Sequence, residues 1–391
     1  LEKKTTRLYF IDAMRAWAIL MMLQGHYIDG LLDNAFRDNS DFVYSTWKYF
    51  RGMTAPVFFT VSGFIFTYLL IRVPEKGFEN PRVKKGIRRG LELLVIGYLL
   101  RMNLMGILNG EIYSSFYLVD VLHCIGLSIL GIIGIYLLTY SKKKFLFPTA
   151  LVAITMLLFL FEPQYQKWTY SFLPDALANY FTKTNGSVFT IFPWFGYASF
   201  GAFISVLFTH YKNFKNLYPI AISISAVVGL ALIFYSSDFF LAISRATGLQ
   251  MFADIFFNNY LFIRLGDVFI AFAVFMLIRQ WLTNSTLLKI GQSTLSIYIT
   301  HFIILYGSFT GLGLYQYFHH SLSPSMVIPS AIVFMIVCSF TALIYEKNKA
   351  RIKSNLSKGL KYLLINGEVL LKFLFSKARV LLMKLFGLVK N

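Results

Sequence analysis

Apolar stretches of about twenty residues recur along the whole chain, with short polar segments between them. The pattern predicts spans near 8–30, 52–73, 90–108, 118–140, 145–161, 187–208, 218–236, 259–280, 290–312 and 326–345. A run of that length crosses the ~30 Å hydrocarbon core as a helix. Short segments of alternating polarity, the mark of a transmembrane barrel, do not occur. The predicted fold class is therefore all-α: a polytopic membrane bundle of about ten helices over 1–345, followed by a basic tail over 346–391.

Composition agrees with this pattern. Hydrophobic residues make up 57% of the chain and charged ones 14%, with a mean hydropathy of +0.62; a soluble chain carries about a quarter charged residues. Lys3, Lys4 and Arg7 precede the first apolar run as they would in a signal peptide. Charges inside the run, and the lack of a small-x-small cleavage site, predict a retained helix instead. Cys124 and Cys338 both fall in apolar segments, which points to neither a disulfide framework nor a metal site.

The formal charge of +19 could point to nucleic acid, but its distribution excludes that partner. Of 37 Lys and Arg, 28 fall on one side of the predicted bundle. Six fall on the other (Arg37, Lys48, Arg51, Lys167, Lys183 and Arg245), while Arg15, Arg101 and Arg264 lie within spans. Positive charge stays in the cytoplasm, so both termini are predicted to be cytoplasmic, in an inner (plasma) membrane with an anionic inner leaflet. The tail, with VLLKFLFSKARVLLMKLF, reads as a basic amphipathic helix lying on that leaflet, as an anchor before a regulatory element.

The first span, IDAMRAWAILMMLQGHYIDG, carries Asp12, Arg15, His26 and Asp29 in an otherwise apolar run. A charge at the centre of a spanning helix costs roughly 2.5–3.5 kcal/mol. Arg15 and His26 are eleven residues apart, about 20° from three full turns, with His26 about 16 Å further along the axis. The four polar residues thus share one face, which must meet a polar cavity or other helices. A local Asp12–Arg15 pair and a satisfied core histidine would be the plain explanation. Matching pairs in other spans weigh against it: Asp120 and His123, Arg264 and Asp267, Tyr298 and His301. Several such pairs converging on one polar passage would form a site for a charged ligand.

An Arg at the inner mouth suits phosphate. The loop PEKGFENPRVKKGIRRG, with Arg88 and Arg89 among its six cations, could hold more phosphates, though positive-inside bias alone explains it. A His deeper in the membrane can take a proton from an attacking hydroxyl or amine, or carry an acyl group. Together these features describe a long, phosphate-headed donor such as acyl-CoA.

The run RLYFIDAMRAWAILMMLQGH resembles the first helix of the transmembrane acyltransferase superfamily. That group includes bacterial membrane O-acetyltransferases of sugars and the heparan-α-glucosaminide N-acetyltransferase family. Four further stretches resemble the latter branch: FRGMTAPVFFTVSGFIF, VDVLHCIGLSIL, IFPWFGYASFGAFIS and LLKIGQSTLSIYITHFIIL. The resemblance implies a cytoplasmic acyl-CoA donor and an acceptor, usually a glycan, on the far side. It implies donor contact for Arg15, acyl-transfer chemistry for His26 and an accompanying acid in Asp12. His123 and His301 fall in matching segments. In the lysosomal branch the working His follows the first helix, but residues 30–50 contain none, so the assignment rests on His26.

The expected protein is an acyl-CoA-dependent acyltransferase, acetyl first, acting on a hydroxyl or amine of a glycan or small molecule at the outer face. Its expected catalytic residues are His26, Arg15, Asp12, His123 and Asp120; Arg15, Arg88, Arg89, His301 and Tyr298 would hold the donor, and no metal takes part. A dimer is one option for its assembly. Pro193 and Trp194 are read as a kink beside the site or as packing, His319 and His320 as solvated, and the stretches 162–186 and 237–258 as long external loops. The rivals are a transporter using the charged pairs as a proton or ion relay, and a non-catalytic assembly factor of the same fold.

Overall fold

The computed structural model describes residues 7–385 and is helical throughout, with no β-strand among the described residues. A helix stands at each predicted span. In chain order they are α1 (Tyr9–Leu31), α2 (Phe42–Ile71), α3 (Pro81–Arg101), α4 (Val121–Thr139), α5 (Leu146–Leu160) and α6 (Ile191–Tyr211). There follow α7 (Leu217–Thr247), α8 (Tyr260–Leu277), α9 (Ser285–Gln292), α10 (Thr294–Tyr306) and α11 (Pro324–Leu385). Among the described residues, six helices are long and apolar enough to cross a membrane: α2, one over Ser114–Thr139 that contains α4, then α6, α7, α8 and the first part of α11. α1 is too polar overall and α3 carries too many charges, while α5 and α10 have 15 and 13 residues.

The surface fits a lipid environment. Leu138, Val227 and Phe234 are 76%, 68% and 67% exposed, and apolar side chains so open to the surroundings are stable in hydrocarbon, where no water is displaced. α1 is different. Ala13, Ala16, Ala18, Ile19 and Leu23 are all buried, because α2, α9 and α10 pack around it. Of the polar stripe of α1, Asp12 is buried, while Arg15, His26 and Asp29 are partly exposed and turn toward other polar groups of the protein, as the cost of their charges requires.

Contact-rich crossings use small residues. α2 and α6 approach until Gly63 meets the Ala198 carbonyl and Gly201 meets that of Thr60, so a methyl group at either glycine would collide with backbone.

The chain divides into a unit over 1–339 and another over 340–391. The helix of the tail is described to Leu385, and residues 386–391 lie outside the described residues.

Several boundaries differ from the sequence reading, among them α3, which runs Pro81–Arg101 where 90–108 was expected. α2 starts ten residues earlier, at Phe42, because the Asp41 carboxylate caps it by accepting the Tyr44 amide at 2.7 Å. The stretch 237–258 is mostly helix: apolar residues carry α7 to Thr247, where Gly248 (φ +71°) ends it, and a short helix Gln250–Phe257 follows. The ninth span breaks at Ser293, between α9 and α10, where GQST interrupts the apolar run.

Candidate functional site

α1 is the spine of the site, with one polar group of residues near each end. At its start the Asp12 carboxylate accepts Arg7 Nε at 2.7 Å, while Arg15 stands 3.9 Å away. Arg15 Nη2 donates to Thr294 Oγ1 at 3.0 Å, at the first turn of α10. A cavity of about 440 Å³ opens here, lined by Arg7, Asp12, Tyr68, Arg72 and Arg82 among others. Asp12 thus serves chiefly Arg7 rather than Arg15. Arg88 is an exposed surface cation paired with Glu92 at 2.8 Å, Arg89 lies 3.9 Å from the same carboxylate, and neither lines the cavity.

Near the other end of α1, His26 Nδ1 lies 3.1 Å from His301 Nε2 on α10. Tyr298 sits against His301, with ring centroids 4.8 Å apart. His301 is fully buried, whereas His26 lines a cavity of about 420 Å³. If His26 donates its Nδ1–H to His301 Nε2, its own Nε2 keeps a lone pair and makes no other hydrogen bond among the described residues. That is the tautomer of a general base held by a second histidine. Met21 and Met22 lie on one side of the cavity, Trp194 and Phe189 on another. The backbone leaves helical geometry at Phe192, beside Pro193, so the expected break and Trp194 do stand at the site.

The cavity wall is cationic. Lys48, Arg51, Lys183 and Arg264 all line it. Arg51 Nη2 reaches the Asp29 carboxylate at 2.7 Å, which Arg37 shares at 3.0 Å. Arg264 Nη1 meets Asp267 at 2.8 Å, Tyr49 donates to the same carboxylate at 2.7 Å, and the guanidinium lies 4.4 Å from the Tyr49 ring. Gly52 leaves the space that Arg264 occupies. In the nearby 161–190 segment, desolvation raises the Glu162 carboxyl and lowers the Lys183 ammonium, and the charge of each opposes the shift of the other.

The acyltransferase domain family model matches residues 8–344. The chain belongs to this family. No curated protein matches the sequence.

Two expected site members of this acyltransferase are built into a different structure. Arg101 grips Asp120 with Nε–Oδ2 at 2.6 Å and Nη2–Oδ1 at 2.7 Å. His123 Nδ1 accepts the Asp120 amide at 3.0 Å, and its ring packs on Gly97 and Tyr98. The group closes the first turn of α4 against the end of α3. Neither Asp120 nor His123 lines the His26 cavity, although Val121 between them does. His320 is also held, with Nδ1 3.1 Å from the Leu32 carbonyl, rather than freely solvated.

Arg15 and His26 both face the bundle interior, but the cavities at the two ends of α1 share no lining residue. Ala18 and Ile19, both fully buried, lie on α1 between Arg15 and His26. Sequence reasoning placed His301 with the donor and missed it as the partner of His26. It also missed the cationic wall, whose one sequence signal was the presence of Lys48, Arg51 and Lys183 among the six cations on the sparse side.

Proposed function

We propose that this acyltransferase moves an acyl group, acetyl first, from cytoplasmic acyl-CoA to a hydroxyl or amine of a glycan or small molecule at the opposite face of an inner membrane. The paired His26 and His301 on an open cavity carry the reading, because a half-buried imidazole steadied by a second one is equipped to move a proton. Arg7, Arg72 and Arg82 line the other cavity and suit the donor's phosphates, with Arg15 above them on α1. The flexible side chains of Met21 and Met22 are the natural gate for a narrow thioester arm passing from that end.

In the transfer step, His26 Nε2 takes the proton from the acceptor as its oxygen or nitrogen attacks the thioester carbonyl carbon. The C–S bond then breaks and the proton passes from His26 to the departing sulfur. The two termini remain in the cytoplasm, and the acceptor approaches the cavity from the far side.

The test is incubation of the full chain, reconstituted in nanodiscs, with labelled acetyl-CoA and a panel of sugars and amino sugars. Label should appear on an acceptor in step with released CoA. Proton-coupled uptake with no CoA release, or no binding of any CoA derivative, would overturn the proposal.

A further inference from the structure

In the orientation proposed above, six Lys and Arg fall on the outer side, where positive charge is scarce. Three of them, Lys48, Arg51 and Lys183, line the His26 cavity, and Arg264 adds a fourth cation from α8. They come from α2, from the 161–190 segment and from α8, so tertiary folding, not one basic helix face, gathers them. No Asp or Glu lines the cavity.

Two of these charges are matched from behind. Arg51 has Asp29, and Arg264 has Asp267. Lys48 Nζ donates to the neutral Asn39 Oδ1 at 2.8 Å and lies 5.9 Å from the Tyr44 ring centroid, with no carboxylate in salt-bridge range among the described residues. The Lys183 ammonium makes no hydrogen bond or salt bridge among the described residues, with Glu162 in electrostatic range. A network made for folding would bring carboxylates to the wall. The two cations without a carboxylate, Lys48 and Lys183, are both exposed, so their charge is open to an anion that enters the cavity from the surroundings. The volume of about 420 Å³ is within the roughly 300–1,000 Å³ of small-molecule sites.

We infer that the cavity selects an acceptor that is itself an anion: a sugar or similar hydroxyl or amine compound bearing a carboxylate or phosphate, held by Lys48 and Lys183 beside His26. Calling this ligand the acceptor rests on the acyltransfer reading; the anion site itself does not.

The test is calorimetry on the full chain in phosphatidylcholine nanodiscs, with glucose 6-phosphate, glucuronate and glucose as probes. Both charged sugars should bind at least about tenfold more tightly than glucose, a difference of about 1.4 kcal/mol, and the advantage should shrink as NaCl is raised. The double variant K48Q/K183Q should lose about that tenfold, whereas K167Q, outside the cavity, should bind as the parent does. Discs containing phosphatidylglycerol separate two sources of the anion. Displacement of glucose 6-phosphate supports a lipid-borne phosphate, and undiminished binding supports a water-borne acceptor. Equal binding of glucose, no binding of any probe, or unchanged affinity in K48Q/K183Q would each overturn the inference. Charged sugars that bind while no acceptor ever releases CoA would leave the anion site standing and remove the acyltransfer reading. CoA release with neutral sugars preferred would do the reverse.

Discussion

His26 and His123 look alike in the sequence: each lies in an apolar span with an aspartate three residues away, Asp29 for one and Asp120 for the other. Their surroundings diverge. His123 is fully buried, takes the amide of Asp120, and sits against Gly97 while Arg101 holds its aspartate with two hydrogen bonds. His26 faces a cavity and leans on another histidine. Each keeps one ring nitrogen without a hydrogen bond among the described residues, but His123 Nε2 is sealed in the interior whereas His26 stands beside space that a ligand can enter. Ionisable residues of this bundle therefore divide into those that fasten helices and those that line open space, and access separates the two.

The sharpest way to break this comparison is at His26. His26→Ala should lower kcat for acyl transfer by about 10²–10⁴-fold, the usual worth of a general base, with the melting temperature kept. His301→Leu should cost less, about ten- to a hundredfold, since it removes one hydrogen bond to a group that becomes charged, worth about 1.5–3 kcal/mol. Near-parental turnover in His26→Ala, measured as CoA release, would remove the contrast.

The Arg101–Asp120 pair should behave in the opposite way. Asp120→Ala leaves a guanidinium without its carboxylate in a mostly buried place, and breaking such a pair costs about 3–5 kcal/mol. The expected result is a lower melting temperature, with kcat per folded enzyme retained. Replacing both partners, as Arg101→Met with Asp120→Leu, should recover much of the loss. A variant that melts like the parent but turns over a hundredfold more slowly would move Asp120 to the catalytic side.

The span pattern shows why part of this was readable in advance. Helix positions and the polar face of α1 follow from local periodicity, and the turning of that face toward other polar groups follows from the cost of charge in hydrocarbon. Partners do not follow in that way. Asp120 chooses Arg101, 19 residues away on another helix, and His26 chooses His301, 275 residues away. No spacing rule in one chain encodes either choice. The pairs at i, i+3 are in contact, Asp120 with His123, Tyr298 with His301 and Arg264 with Asp267, but the stronger long-range partners, Arg101 for Asp120 and His26 for His301, are not encoded by that spacing. The break at Ser293 was present as the polar run GQST, but the longer apolar stretch around it outweighed that signal.

The smallest effect is expected at the other end of α1, where two arginines of one helix should part company. Arg82 is half-buried and lines the cavity assigned to the donor, while Arg88, two turns on, projects from α3 with a side chain 76% exposed. Its ion pair with Glu92 is of the surface kind, worth about 0–1 kcal/mol. Arg88→Gln should leave stability and the KM for acetyl-CoA nearly unchanged. Arg82→Gln should raise that KM about tenfold by removing a charged hydrogen bond to phosphate, with kcat much less affected, because a contact made equally in ground and transition states enters KM alone. Equal rises in KM for the two variants would mean that the phosphates lie along the open face of α3, where charge follows the membrane rule, and not in the cavity beside Asp12.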